Sequence, residues 1–339
     1  MKRRQFIKTS TAVVGAIAAA VGALAIVIPH RAAANPYPAQ PVKIIVAYAA
    51  GGSTDLVARA LADRFSASLK QPFVVENRPG AGGTLGTTLA AKAAPDGYTL
   101  YLGQVSSHGI APGLYRNLQY DPVKDFAPIG KIASIPNVMV VNAKSKAHSV
   151  ADFVAMAKQQ PGKMNFASSG NGSSIHLSGE LFKRLADVNV NHVPFRGSAP
   201  ALTALVAGQV DVMFDNLPSA LPHIEAGMLR ALAVTTLARA QALPAAPTLA
   251  EAGKGLGLEK YDVSAWFGLF APAGTSKTII EKLNIELNKH LRGAELQKFL
   301  AKQGATPDPG TPDAFATFVR AELAMWAGVV KAAGITLQQ

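Results

Sequence analysis

Val42-Lys43-Ile44-Ile45-Val46, Ala49-Ala50-Gly51-Gly52-Ser53-Thr54 and the segment 55–69 read in turn as strand, glycine-rich turn and helix. The first is a short β-branched run suited to a buried strand. The third places Leu56, Ala60 and Leu61 on one helical face. The same order recurs along the chain. Residues 71–76 read as a strand, 77–83 as a glycine-rich turn and 85–93 as a helix. Pro95-Asp96-Gly97 turns the chain into a strand over 98–103. Such alternation predicts an α/β fold with parallel strands.

Farther along, strands are expected at 138–142, 165–167, 190–193, 210–214, 229–235 and 263–271. Helices are expected at 150–158, 175–186, 200–207 and 221–226, and two long amphipathic ones close the chain at 277–292 and 312–332. The strand–turn–helix at 46–55 has a counterpart at 166–176, where Ser168-Ser169-Gly170-Asn171-Gly172-Ser173-Ser174 leads into a helix. Two α/β lobes joined by crossing strands account for this repetition.

The N-terminus reads separately. Arg3-Arg4-Gln5-Phe6-Ile7-Lys8 followed by an apolar run over 12–28 has the form of a twin-arginine export signal. Ala32-Ala33-Ala34 offers a small-residue cleavage site, so a mature chain starting near Asn35 is expected outside the cytoplasm. The competing reading is an uncleaved anchor, for which the run is short and rich in Ala and Gly. Five basic residues lie in this segment. Their removal leaves 28 of the 33 Lys and Arg against 21 acidic residues, a net +7. These charges are scattered, with no basic stripe, so nucleic acid is not expected as a partner. Anionic small molecules are better matched.

The chain has no cysteine, which excludes thiolate metal sites and cysteine nucleophiles. Its seven histidines form no HxH or HExxH pattern, so no metal and no cofactor are expected. There is no GxSxG elbow; Ser173 and His176 share a helix start without an acid placed to orient the histidine. His108, His176 and His192 read as structural. Asp215 either binds a ligand amine or caps the next turn. Arg196 either pairs with a carboxylate or makes an ordinary surface ion pair. The two glycine turns carry the stronger signal. A helix N-terminus presents unpaired N–H groups and about half a positive charge, and glycine allows an anion to approach them closely.

Several segments together resemble the Bug family, the periplasmic receptors of tripartite tricarboxylate transporters. They are Ala47 to Asp55, Glu76 to Gly83, Pro95 to Leu100, Ala167 to Ser174 with His176-Leu177, His192 to Gly197, Phe214-Asp215-Asn216 with Leu221 to Ile224, and Trp266 to Pro272. The resemblance implies a two-lobed type II periplasmic binding protein with a ligand cleft between its lobes. It implies ligand contacts at Tyr48, Gly52, Ser53, Thr54 and Asp55 in the first turn and at Ser169, Gly170, Asn171 and Ser174 in the second. Ser106, Arg196 and Asp215 would line the rest. Ala47 and Ala50 stand where the family commonly has proline, Tyr48 where it has phenylalanine, and Arg196 where it has lysine.

The expectation is a monomeric receptor that captures a small carboxylate and hands it to a tripartite tricarboxylate-type membrane transporter, without chemistry of its own. Residues 35–139 and 263–339 would form one lobe and 140–262 the other. The alternatives are a ligand-sensing partner of a membrane kinase and an exported Ser/His hydrolase.

Overall fold

The computed structural model describes residues 37–333. The export signal expected over 1–34 lies outside them. The chain runs β1 (Val42–Val46), α1 (Ser53–Leu69), β2 (Phe73–Asn77), α2 (Thr84–Ala91), β3 (Thr99–Gln104), a π-helical turn (Ser106–Ile110) and α3 (Ala111–Leu114). Next come β4 (Phe126–Asn142), α4 (Val150–Gln159), β5 (Asn165–Ser168), α5 (Ser174–Ala186), β6 (Asn191–Pro194), α6 (Ser198–Val206), β7 (Val212–Asn216), α7 (Leu217–Glu225) and β8 (Leu229–Val234). It ends with α8 (Leu249–Ala252), β9 (Ser264–Pro272), α9 (Lys277–Arg292), α10 (Ala294–Lys302), β10 (Thr306–Pro307) and α11 (Pro312–Ala333). None of these helices is long and apolar enough to cross a membrane.

The strands follow the order β2-β1-β3-β9-β4-β7-β5-β6, with β8 and β10 also paired to β4. Pairing is parallel among β2, β1 and β3 and among β6, β5 and β7. It is antiparallel wherever β4 or β9 takes part. The sheet is therefore mixed, two parallel halves joined by antiparallel crossing strands, rather than parallel throughout. β4 makes the join. Residues 126–136 pair with β9, and residues 137–142 pair with β7 and β8. Only the end of β4 stands out in the sequence, because Pro128, Gly130 and Pro136 punctuate its first part. In the sheet that part is accommodated by register shifts between Pro128 and Gly130 and between Lys131 and Ala133.

Local sequence explains the elements that shape the site. β1 is buried at four of its five positions, as a central strand covered on both faces must be. α1 turns Val57, Leu61 and Phe65 inward at four-residue spacing and stops at Lys70, which adopts a left-handed conformation. α9 buries Ile280, Leu283, Leu287 and Leu291 and is capped by Ser276. A large core runs through both lobes, from Val46, Leu61 and Phe270 to Phe153, Phe166 and Phe182, and a smaller cluster including Val138, Ile175, Leu202 and Met213 packs β4, β7 and β5 against the other helices of the second lobe.

α11 closes the first lobe through a shared acceptor. Both indoles, Trp266 on β9 and Trp326 on α11, donate to Glu322 Oε2, at 2.8 and 3.1 Å. Both rings are nearly fully buried. A Glu322→Ala change leaves two buried donors without an acceptor and is expected to destabilise the fold by about 2 kcal/mol or more, measured as a lower urea midpoint.

Candidate functional site: a neutral cavity between the lobes

Ten residues enclose a cavity at the carboxyl ends of the parallel strands, the place where open α/β sheets bind ligands. Tyr48, Gly52, Ser53, Thr54, Gln104 and Ser106 come from the β1–α1 turn, the end of β3 and the π-helical turn. Ser169, Ser174, Ser198 and Asn216 come from the β5–α5 turn, the start of α6 and the end of β7. Every one of these side chains is neutral. The space measured at water centres is about 10 Å³, room for about one water molecule.

Four helices, α1, α5, α6 and α7, begin at this cavity. α1, α6 and α7 carry no side-chain cap. The N–H groups of their first turns are the orphan donors of a helix end, except at Pro200 in α6 and Pro218 in α7, which have none, and their dipoles supply positive potential. α5 differs, since Ser173 caps it by accepting from the His176 N–H at 3.1 Å. The positive character of the site thus comes from peptide groups.

Hydrogen bonds across the cavity tie the lobes together. Ser53 Oγ donates to Asn216 Oδ1 at 3.1 Å, and the Ser174 N–H donates to Ser106 Oγ at 3.0 Å. At the rim the Ala49 N–H donates to the Arg196 carbonyl at 3.2 Å, and the Tyr115 hydroxyl donates to the Asn171 carbonyl at 2.8 Å. Behind the wall, Asn216 Nδ2 donates to Asn137 Oδ1 at 2.6 Å, and Asn137 Nδ2 donates to the Phe214 carbonyl at 3.0 Å. Asp215 accepts from Ser198 Oγ at 2.7 Å and from Ser219 Oγ at 2.5 Å. Burial pushes the Asp215 carboxyl up to about 6, with the two serine bonds pulling it back. Tyr48 donates to the Gly82 carbonyl at 3.0 Å, and burial raises its phenol above the ordinary range.

Of the residues singled out in the sequence, Tyr48, Gly52, Ser53, Thr54, Ser106, Ser169 and Ser174 line the cavity. Five do not. Asp55 is buried in the base of its turn, where its carboxylate accepts from the Gly51 N–H, Arg59 Nε and Asn77 Nδ2, each at 2.9 Å. Gly170 packs against Gly82, and the Asn171 side chain is exposed. The Arg196 side chain is exposed too, and its carbonyl makes the rim bond. Asp215 lies one layer back, fully buried, with Ser198 between it and the cavity wall. Gln104, Ser198 and Asn216 were not anticipated. Gly197-Ser198 repeats the Gly–Ser helix opening of Gly52-Ser53, and that signal is present in the sequence.

The histidines brace the second turn. His176 and His192 stack with centroids 4.0 Å apart, and Phe166 continues the stack. His192 Nε2 lies 2.6 Å from Ser168 Oγ, and His176 Nδ1 accepts the Gly172 N–H at 3.2 Å. Ser173 Oγ is committed to capping, so the arrangement is a brace for the loop and not a nucleophile–base pair. Burial, helped by the Lys183 charge, lowers His176 to about 4. Burial, with His176 and Lys183 adding to it, lowers His192 to about 3. Both histidines are thus held neutral in the folded protein and protonate readily when unfolded. Their contribution is full above the unfolded value of about 6.5 and is lost as the pH falls towards 4. Asp215, shifted the other way, opposes this below about 6 as one group against three, since burial also lowers His108 to about 3. Melting temperature is expected to fall between pH 6.5 and 4, and His192→Gln should flatten that fall.

Residues 57–335 match the family described as "Tripartite tricarboxylate transporter family receptor" (TctC). Protein BugT of Bordetella pertussis is 41% identical over 329 residues, covering 96% of this chain and 98% of BugT. The structure of the R. palustris protein Rpa4515 with adipate superposes with a TM-score of 0.85 at 39% identity, covering 89% of this chain and 100% of that one. MatC (Rpa3494) from Rhodopseudomonas palustris with bound malate gives 0.81 at 36% identity, covering 87% and 100%. The fold, the cavity between its lobes and these matches place the chain in the TctC receptor family, to which the Bug proteins belong.

Proposed function

We propose that the protein is an extracytoplasmic solute-binding receptor that captures a small carboxylate by lobe closure and delivers it to a tripartite membrane transporter. One observation carries this reading: a neutral, hydroxyl-rich cavity between two lobes onto which uncapped helix N-termini converge. Such a site binds carboxylate without a cationic side chain. Relatives that hold adipate and malate fit the same ligand class. In this reading residues 35–139 and 263–339 form one lobe and 140–262 the other, and the protein acts as a monomer. The Arg3-Arg4 signal exports it by the twin-arginine route, with cleavage after Ala34.

A cavity of about 10 Å³ admits no dicarboxylate, so the lobes must part for entry. The bonds to be broken are Ser53–Asn216, Ser174–Ser106, Ala49–Arg196 and Tyr115–Asn171. At about 1 kcal/mol net each, they leave an open form within thermal reach. A bound acid then favours closure by completing the donors of both lobes.

The closest approach at the rim is made by Gly82. A Cβ there would fall 1.9 Å from the Asn171 carbonyl oxygen of the opposite lobe. Gly82→Ala is therefore expected to hold the lobes apart. It should weaken carboxylate binding at least tenfold and abolish ligand-induced compaction in small-angle scattering. Gly208→Ala is the control. Gly208 has a similar φ of +73°, against +64° at Gly82, but nothing lies within 4 Å of its Cβ position. Equal effects of the two substitutions would count against closure as the binding step.

A further inference from the structure

We infer that Asp215 is a positioning residue that takes up one proton when a carboxylate is captured, and so turns the Ser198 hydroxyl from an acceptor into a donor towards the ligand. This rests on the receptor reading above and adds its linkage to pH.

The wall of the second lobe sets the problem. Asp215 is fully buried near the end of β7, and Ser198 Oγ, 2.7 Å from Asp215 Oδ1, stands between it and the cavity. Ser219 Oγ lies 2.5 Å from Oδ2 on the other side. A carboxylate only accepts, and a serine hydroxyl has one proton. While Asp215 is ionised, Ser198 therefore commits its proton to Oδ1 and turns lone pairs to the cavity. A ligand carboxylate arriving there meets those lone pairs, with a second carboxylate directly behind them. Neither serine bond uses a group from the first lobe, so parting the lobes leaves both in place.

No cation answers this charge. β4, β5, α5, α6 and α7 pack against β7. Their titratable side chains are Lys131 on β4, His176, Glu180, Lys183 and Arg184 on α5, and His223 and Glu225 on α7. The Asp215 carboxyl responds to none of them: burial pushes it up to about 6, and the bonds from Ser219, Ser198 and the Asn216 N–H pull it back. Asp55, across the cavity, is the contrast. Arg59 Nε holds it at 2.9 Å together with the Gly51 N–H and Asn77 Nδ2, so its charge is compensated and stays.

A bound carboxylate makes two anions with one hydroxyl between them, and such a pair keeps one proton. The ligand lies among helix N-termini, which favour its ionised form. Asp215, one layer deeper, takes the proton. One proton from solvent forms an O–H bond at Asp215 Oδ1, that O–H donates to Ser198 Oγ, and Ser198 rotates its own proton to a ligand oxygen. Ser219 goes on donating to Oδ2, and no covalent bond breaks. A carboxyl that titrates near 6 in the free protein and higher in the complex makes binding tightest below about 6 and weaker as the pH rises above it.

The test is calorimetric titration of the purified protein, unfolded and refolded first to release any bound metabolite, with succinate, malate and adipate between about pH 6.5 and about pH 8.5, in buffers of different protonation heat. Near pH 7 about half a proton or more should be taken up per ligand, and Kd should rise about threefold or more for each unit of pH at the start of that range. Asp215→Asn, which carries no charge, should abolish both effects and bind at pH 8 at least as tightly as the wild type. Ser219→Ala removes a donor to the ionised carboxylate and should move the uptake to higher pH; melting curves check that both variants fold. If Asp215→Asn does not fold, the wild-type and Ser219→Ala profiles decide. Binding without proton uptake in the wild type, uptake that persists in folded Asp215→Asn, or an unmoved profile in Ser219→Ala overturns the inference while leaving the receptor reading intact. Absence of binding by all three acids at every pH overturns both.

Discussion

The amide of Asn137 joins the two halves of this molecule. It lies where β4 stops pairing with β9 and begins pairing with β7, and it is fully buried. Its side chain reaches the Phe214 carbonyl, Ser178 Oγ and Asn216, while its backbone is gripped by Thr235 through both N–H and carbonyl. A polar group at such a crossing is costly unless every bond is made, and here each is made. The geometry of the cavity wall descends from this knot, because it fixes which end of Asn216 faces the other lobe. In the proposed closure the lobes would pivot near this point, since β4 is the strand that pairs with both halves.

Much of the fold was readable because burial imposes period. Strand–turn–helix units around β1 and β5 stand out as β-branched runs, glycine turns and apolar helical faces. α9 falls on its expected bounds, and most of the other anticipated elements fall within a few residues of theirs. The misses have physical causes. β4 hides its first part behind Pro128, Gly130 and Pro136, which usually end strands but here sit at or near irregularities in the pairing. α10 has no counterpart among the expected elements, because Gly293 reads as the stop of α9 and also serves as the start of α10 with no side-chain cap to announce it.

The site was legible to the extent that backbone turns define it. Seven of the residues named from the sequence line the cavity, six because a glycine turn and the helix start after it fix their positions and Ser106 because the π-helical turn after β3 does. Asp55 and Asp215 point elsewhere because a buried carboxylate seeks donors, and each finds a full set within its own lobe. Charge made them conspicuous in the sequence, and the same charge drew them into support roles behind the wall. Ser198 and Asn216 are inconspicuous residue types whose importance depends on partners distant along the chain, such as Asn137, and no local pattern announces that.

The reliance on uncapped helix ends has an evolutionary consequence. A peptide N–H survives every point mutation except one to proline, so in the proposed reading the anion-holding donors withstand most substitutions at these positions, although Pro200 and Pro218 already supply none. Side chains such as Tyr48, Gln104, Ser198 and Asn216 enjoy no such protection. In the proposed reading, changing a few of them would exchange one acid for another while the backbone donors stay in place.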